Sequence, residues 1–302
     1  MLMMVAASST VDNEPASMDF SGIGTGGSRL SANRHCPGAS PRVCTEIASC
    51  FCEPTWTEDE LTDTDHITFS PSYGLLLHLF EPPPTDNRTS RPAIVVIHGG
   101  GFAAHDRNFA PPIKVAKMLA TQGYVVVSID YRLLGQSNQT HANLVAAYDA
   151  RAAVRWLRAN AAKLRVDPMR IGAFGGSAGG MTVAVLVTYA GEGDNLDHAG
   201  FPSGVAGGVS LSGFLLPELE SAITQNQPPY LDFHGCEDPI VNFSLAVETN
   251  RALTSAVADS EIYPFPGAGH VPYRLLEQQV PWQTLSAFFA DALDLAHAEC
   301  PR

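Results

Sequence analysis

The apolar positions of this chain fall into two rhythms that alternate along its length. From His66 onward, short runs of apolar and β-branched residues are separated by longer stretches in which apolar side chains recur every three to four positions. Ile67–Phe69 and Leu75–Phe80 read as two strands joined by the turn sequence Pro71–Gly74. Ala93–His98 and Tyr124–Asp130 are the continuous apolar runs that a strand covered on both faces requires, with a short helix, Ile113–Thr121, between them. Over His141–Lys163, the residues Val145, Tyr148, Ala152, Trp156 and Ala159 keep a helical spacing and predict one long helix. Asp167-Pro168 offers an N-cap and first helical position for a single turn before the strand Ile171–Phe174. A helix over Met181–Ala190 follows, then strands at Val205–Leu211 and Tyr230–His234. The helix Ser244–Asp259, the strand Ile262–Phe265 and the closing helix Trp282–His297 complete the pattern. Strands alternating with helices predict an α/β fold: a mostly parallel sheet of about eight strands with helices on both faces.

The first 55 residues break this pattern. They are rich in Ser, Gly, Ala and Cys without sustained periodicity, and read as an extension without regular structure preceding a body over 56–302. Four of the six cysteines (Cys36, Cys44, Cys50, Cys52) crowd its end, and Cys236 and Cys300 lie far away. An even count in a loop-rich setting suggests disulfides and an oxidising compartment, secreted or periplasmic, with the cytoplasm as the alternative. The connectivity stays open. Cys236 is expected to be half of a disulfide, with Cys300 or an extension cysteine. The spacing C-x7-C-x5-C-x-C does not match the paired knuckles of zinc sites, so no metal is expected. Met1–Ala7 is apolar but short and lacks a basic flank, the form of a poor or residual signal peptide.

Net charge narrows the partners. At −13, with 45% hydrophobic and 16% charged residues, the chain repels nucleic acid and anionic lipid, so neither is an expected partner. No apolar run reaches the ~18 residues of a membrane helix. The oligomeric state is not legible.

Candidate chemistry gathers at the predicted strand ends. Gly175-Gly176-Ser177-Ala178-Gly179 fits G-x-S-x-G between a strand and a helix, the form of a nucleophile elbow that lifts a serine hydroxyl above the sheet edge. His98-Gly99-Gly100-Gly101 follows the strand Ala93–Ile97, where successive glycines let backbone amides face a cleft. Gly100 and Gly101 are the expected oxyanion donors, with Ala178, the residue after the serine, as the third. After Tyr230–His234 come two acids, Glu237 and Asp238. Asp238, beside the turn residue Pro239, is the choice for orienting a histidine. His270 ends Gly267-Ala268-Gly269-His270 after the last predicted strand. The order Ser177, Asp238, His270 is the order in which this kind of sheet carries nucleophile, acid and base. His98 is the poorer base because its loop is needed for backbone donors, and His234 is expected to pack structurally.

With these motifs in hand, the chain over roughly 60–298 resembles the α/β-hydrolase esterases that carry a His-Gly-Gly-Gly loop and a Gly-x-Ser-Ala-Gly-Gly elbow. Asp130-Tyr131-Arg132-Leu133 and Ala153-Val154-Arg155-Trp156-Leu157-Arg158 are similar to the same group. Two features depart from it. Hormone-sensitive-lipase-like members carry an acid before the serine, where Gly176 stands here. The acid motif, His-Gly-x-x-Asp-x-x-Val, instead resembles feruloyl and acetyl-xylan esterases and the catalytic domains of oligopeptidases. The resemblance implies a serine carboxylic-ester hydrolase acting without cofactor on a small-molecule or polymer-linked ester. An oligopeptidase-type amidase and a non-catalytic binding module of the same fold are the alternatives. The connection Phe214–Pro229 is too short for a large lid, so a minimal cap is expected, and the tethered extension is the candidate to serve in its place.

Overall fold

The computed structural model describes residues 36, 38, 40–42, 51–256, 259–298 and 300. The expectation of an irregular extension falls mostly on residues outside this set.

Eight strands form one sheet: β1 (Thr62–Ser70), β2 (Leu75–Glu81), β3 (Arg91–Ile97), β4 (Val125–Ile129), β5 (Val166–Gly176), β6 (Gly207–Leu211), β7 (Tyr230–Gly235) and β8 (Ser260–Phe265). Their spatial order is β1-β2-β4-β3-β5-β6-β7-β8. β1–β2 and β2–β4 pair antiparallel, and every pair from β4 to β8 is parallel. The helices are α1 (Ala110–Thr121), α2 (Gln139–Ala159), α3 (Ala161–Leu164), α4 (Ala178–Thr188), α5 (Phe243–Ser255), α6 (Tyr273–Leu276) and α7 (Gln279–Ala292).

Alternate residues of the central strands feed two cores. Val95, Ile97, Val127 and Ala173 pack with the alanine-rich face of α2 and with α4. Ile94, Val96, Val126 and Phe174 pack with α1 and α7. Because both faces are covered, β3 and β4 are buried at every position, which explains why all their residues but Arg91 and Ser128 are apolar. Small residues on α2 (Ala146, Ala150, Ala153) let it lie close to α4, itself buried along its whole length. Among the described residues no helix is long and apolar enough to cross a membrane.

One local expectation is corrected. Asp167-Pro168 does not start a helical turn; it lies within β5, which begins at Val166. Arg91 pairs with Val166, and its amide bonds the Arg165 carbonyl at 2.7 Å, so the ladder captures the segment early. Pro168 is tolerated because a register irregularity between Arg91 and Ala93 leaves that stretch without regular pairing. The long helix also divides at Asn160, and α7 stops at Ala292.

The start of the described chain is tied to the body. Phe51 is buried against the Tyr124 ring, and Arg42 bonds Glu261 (3.0 Å) and Asp291 (3.1 Å). Cys36 forms a disulfide with Cys236 across 200 residues of sequence, so the extension cysteine, not Cys300, is the partner. Cys52 and Cys300 are also disulfide-bonded. Closing so long a loop removes unfolded-state entropy, and a Cys36→Ser, Cys236→Ser chain is expected to lose about 2–4 kcal/mol in urea unfolding. Thiol titration of the native chain that finds 36 and 236 free would contradict the pairing.

Candidate active site

The parallel register brings the candidate residues to one edge. Ile97 pairs with Gly175, Gly176 with Leu211, Leu211 with Phe233, and Gly235 with Phe265, so β3, β5, β6, β7 and β8 end together. Ser177 follows β5 and is the N-cap of α4. Its backbone sits at φ 53°, ψ −121°, a strained conformation for a residue with a Cβ. The glycines around it make the bend possible. A Cβ on Gly175 would meet the Gly179 carbonyl oxygen at 2.3 Å, and one on Gly179 would meet the Ile97 carbonyl oxygen at 2.1 Å.

Three of the expected residues form one hydrogen-bonded line. His270 Nε2 lies 2.8 Å from Ser177 Oγ, and His270 Nδ1 lies 2.7 Å from Asp238 Oδ2. Asp238 Oδ1 accepts from the amides of Ile240 (2.8 Å) and Val241 (2.9 Å). An ionised Asp238 accepts only, so His270 donates from Nδ1 and presents a bare Nε2 to the serine hydroxyl. Burial pushes the Asp238 carboxyl up, but His270 and the two amides outweigh it and hold it below the usual carboxylate range. The rival acid, Glu237, faces solvent. The acid and histidine loops clamp each other. The Glu237 amide donates to the Ala268 carbonyl (2.9 Å), and a Cβ on Gly235 would strike the Gly269 oxygen at 2.1 Å.

The glycine loop after β3 lies against the elbow. A Cβ on Gly99 would meet the Gly176 oxygen at 2.9 Å and Ser177 Cβ at 3.2 Å. Gly100 and Gly101 have φ of 114° and 62°, a left-handed path that favours glycine. Among the described residues the amides of Gly100, Gly101 and Ala178 are bonded to no acceptor. Tyr131 holds the loop from behind, its hydroxyl donating to the His98 carbonyl at 3.1 Å. Asp130 accepts from the Arg107 amide (2.9 Å), and Arg132 bonds Asp149 and Asp194, so Asp130–Arg132 ties strand ends together.

His98 is buried and turned into its own loop, with Nδ1 2.7 Å from the Gly99 oxygen. That carbonyl only accepts, so Nδ1 carries the proton, and Nε2 has no partner among the described residues. Burial therefore pushes His98 down from 6.5 to about 4. Its sign as a stability term is fixed: the folded imidazole is neutral, so between pH 6.5 and about 4 the unfolded chain binds the extra proton. Stability from this residue is complete above that window and falls as pH drops through it, by up to roughly 3 kcal/mol. Urea unfolding across the window should show the loss, and His98→Gln should flatten it.

The structure also accounts for Gly176. A Cβ there would lie 2.2 Å from the Tyr273 hydroxyl oxygen and 3.1 Å from its Cζ. The place of the acid found in related elbows is thus filled by a tyrosine from α6, a helix that the sequence pattern did not reveal. Gly176→Ala is expected to displace Tyr273 at a cost of about 1–3 kcal/mol. Tyr273→Phe in the same chain should restore part of it, as a double-mutant cycle in urea would show. Tyr273, Val271 and Pro272, together with Ala110, Pro111 and Lys114, line a cleft of ≈ 560 Å³ that begins at the residue after His270 and contains none of Ser177, Asp238 or His270 in its lining.

The strand order, the elbow after β5 and the strand-end loops define an α/β-hydrolase fold. Comparison with known proteins agrees. The BD-FAE family model matches residues 77–203, and the Phospholipase/Carboxylesterase model matches residues 150–278. Carboxylesterase NlhH of Mycobacterium tuberculosis is 36% identical over 114 residues, 38% of this chain and 34% of that protein. The para-nitrobenzyl esterase of Bacillus subtilis is 34% identical over 122 residues, 37% of this chain and 24% of that protein. The matches thus span about a third or less of the curated relatives' length. Esterase 2 of Thermogutta terrifontis, solved after phosphorylation by paraoxon, superposes with a TM-score of 0.64 at 23% identity, covering 82% of this chain and 98% of that one. A truncated carbohydrate esterase from gut microbiota gives 0.66 at 21%, covering 80% and 100%. The chain thus has the α/β-hydrolase fold, and its sequence is similar to carboxylesterases over part of their length.

Proposed function

We propose that the protein is a serine carboxylic-ester hydrolase with Ser177 as nucleophile, His270 as base and Asp238 as the orienting acid. The observation that carries this reading is the unbroken line from Asp238 through His270 to the hydroxyl of a strained elbow serine. As Ser177 Oγ attacks the ester carbonyl, its proton passes to His270 Nε2. Negative charge collects on the carbonyl oxygen, where the amides of Gly100, Gly101 and Ala178 would receive it; one such donor contributes about 3–4 kcal/mol. His270 returns the proton to the departing alkoxide. Water, deprotonated by His270, then releases the acid from the acyl-enzyme. None of these steps calls on a metal or cofactor.

The substrate is a small or polymer-linked ester, and the cleft that starts at Val271 is the candidate place for one part of it. Among the described residues, the connection from β6 to β7 holds a single short turn of helix, Pro217–Ala222, and no inserted cap. The Cys36–Cys236 link roots the extension two residues from Asp238, within reach of the site. The extension is therefore read as a substitute cap, and the disulfides as the mark of an oxidising, secreted setting. The test is a panel of p-nitrophenyl esters (acetyl to long-chain), a feruloyl ester and a p-nitroanilide amide, run on the intact chain and on one lacking residues 1–35. Ester turnover without amide turnover, with an altered chain-length preference after deletion, is expected. Absence of ester turnover overturns the hydrolase reading, and an unchanged preference overturns the cap.

A further inference from the structure

Behind the acid loop lies a second carboxylate–imidazole pair. Asp232 and His234 stand two apart on β7, so both project from the same face of the strand. They are 1% and 0% exposed. His234 Nδ1 is 2.8 Å from Asp232 Oδ2, and His234 Nε2 is 2.9 Å from the Val241 carbonyl oxygen and 3.5 Å from Asp238 Oδ2. The Phe243 ring closes edge-on against the imidazole at 5.7 Å between centroids. Asp232 is held in turn by the Ser210 hydroxyl and, at 3.4 Å, by the Gly213 amide.

These contacts fix where the protons are. The Val241 carbonyl can only accept, so His234 Nε2 must carry a hydrogen. A neutral imidazole protonated there has a bare Nδ1. Set 2.8 Å from an ionised carboxylate, it would oppose lone pair to lone pair in a site closed to water. One proton must therefore lie between Nδ1 and Asp232, and the pair as a whole is uncharged. The titration tendencies agree. Burial works against charge on His234, yet Asp232 and its hydrogen bond outweigh burial and push the imidazole up, and burial pushes Asp232 up as well. The other titratable groups facing the pair are Asp238, in contact with Nε2, and the Tyr230 hydroxyl beside Asp232.

We propose that Asp232 and His234 are positioning residues for the acid of the site: a buried pair sharing one proton, whose permanent Nε2–H pins the turn Asp238–Val241. The proposal rests on the reading of Asp238 as the partner of His270. That turn supplies the two amides that bind Asp238 Oδ1, so whatever holds Val241 holds Asp238 Oδ2 on His270 Nδ1. Only a donor fixed in one tautomer can do this, and Asp232 at the far nitrogen fixes it. The arrangement runs from Asp232 through His234, Asp238 and His270 to Ser177, with His270 the most exposed of the side chains at 12% and the Asp232–His234 pair and Asp238 closed to solvent.

The test combines kinetics on p-nitrophenyl acetate with ¹⁵N NMR of the histidine side chains. His234→Leu is expected to lower kcat by about 10- to 100-fold, the range for removing a group that orients a reacting residue, with KM little changed. His234→Gln, whose amide can still donate to the Val241 carbonyl, is expected to recover most of the loss. In the Ser177→Ala chain, where turnover plays no part, His234 Nε2 should remain protonated from neutral to alkaline pH. It should remain so in Asp232→Asn, whose amide can donate to Nδ1, while the shared proton is lost. A His234 that titrates as an exposed histidine does, or whose Nε2 is bare, overturns the proposal even if His234→Leu fails to fold. So does a folded His234→Leu chain with unchanged kcat. If Ser177→Ala itself retains turnover, the serine reading fails instead. If Ser177→Ala is inactive and His234→Leu is silent, the pair alone is refuted.

Discussion

Ser177→Ala is expected to lower kcat on p-nitrophenyl acetate by roughly 10⁴- to 10⁶-fold, with KM and the urea midpoint nearly unchanged. The size follows from how the hydroxyl is placed. A backbone at φ 53°, ψ −121° holds Oγ 2.8 Å from His270 Nε2, with the amide end of α4 immediately behind it. His270 acts on substrate through that oxygen, so removing it leaves the base with no proton to take. What survives is carbonyl polarisation by the loop amides, the residual that oxyanion donors alone provide. Alanine is smaller than serine and keeps the Cβ, so the strained turn meets no new clash. The pre-steady-state burst of p-nitrophenol, which counts acyl-enzyme formed, should vanish with it. A variant that keeps the wild-type rate would mean that another group is the nucleophile.

Asp238→Asn is the second large effect, about 10⁴-fold in kcat, and here the fold dictates how the substitution acts. The Ile240 and Val241 amides both donate to Oδ1, so asparagine must turn its carbonyl toward them. Its NH₂ then faces His270 Nδ1, where the carboxylate accepted before. A nitrogen that receives a hydrogen bond cannot carry a proton, so the imidazole shifts to the Nε2–H tautomer and can no longer accept from Ser177. The loss should therefore appear in kcat with the structure intact. Asp238→Ala, which imposes no tautomer, should be no worse despite removing more atoms. The comparison of the two variants under identical conditions checks the argument; equal kcat for Asp238→Asn and the wild type would contradict it.

The parts of the site that were legible in the sequence are those whose chemistry leaves little freedom. A serine flanked by glycines between a strand and a helix, three glycines after an apolar run, and an acid and a histidine after later strands each satisfy a local geometric demand. Their order along the chain maps onto strand ends because parallel strands all finish at the same edge. What stayed hidden depends on contacts between residues far apart. Gly176 looked like a departure from related elbows, but only packing shows that the Tyr273 hydroxyl fills the space a side chain would need. Gly235 was visible only as a letter of the His-Gly-x-x-Asp-x-x-Val motif; its reason, that the histidine loop could not close over a Cβ at that position, is a tertiary one. His234 was expected to be structural, and nothing in the sequence pairs its two nitrogens with Asp232 and Val241. The same limit applies to the disulfide: spacing left Cys236 between two kinds of partner, and the fold selects Cys36. The misread Asp167-Pro168 errs the other way. Local turn chemistry favoured a helical start, but the strand ladder to β3 outweighed it.

Covalent trapping tests the central claim most directly. An organophosphate such as paraoxon transfers its phosphoryl group to a serine that is activated as a nucleophile, and the adduct resists hydrolysis. After reaction of the intact chain, mass spectrometry of its peptides should find one adduct per chain, on the peptide containing Ser177, formed in step with the loss of esterase activity. The Ser177→Ala chain should take up none. Activity lost with the adduct on another residue, or turnover that persists in a chain fully modified at Ser177, would contradict the account.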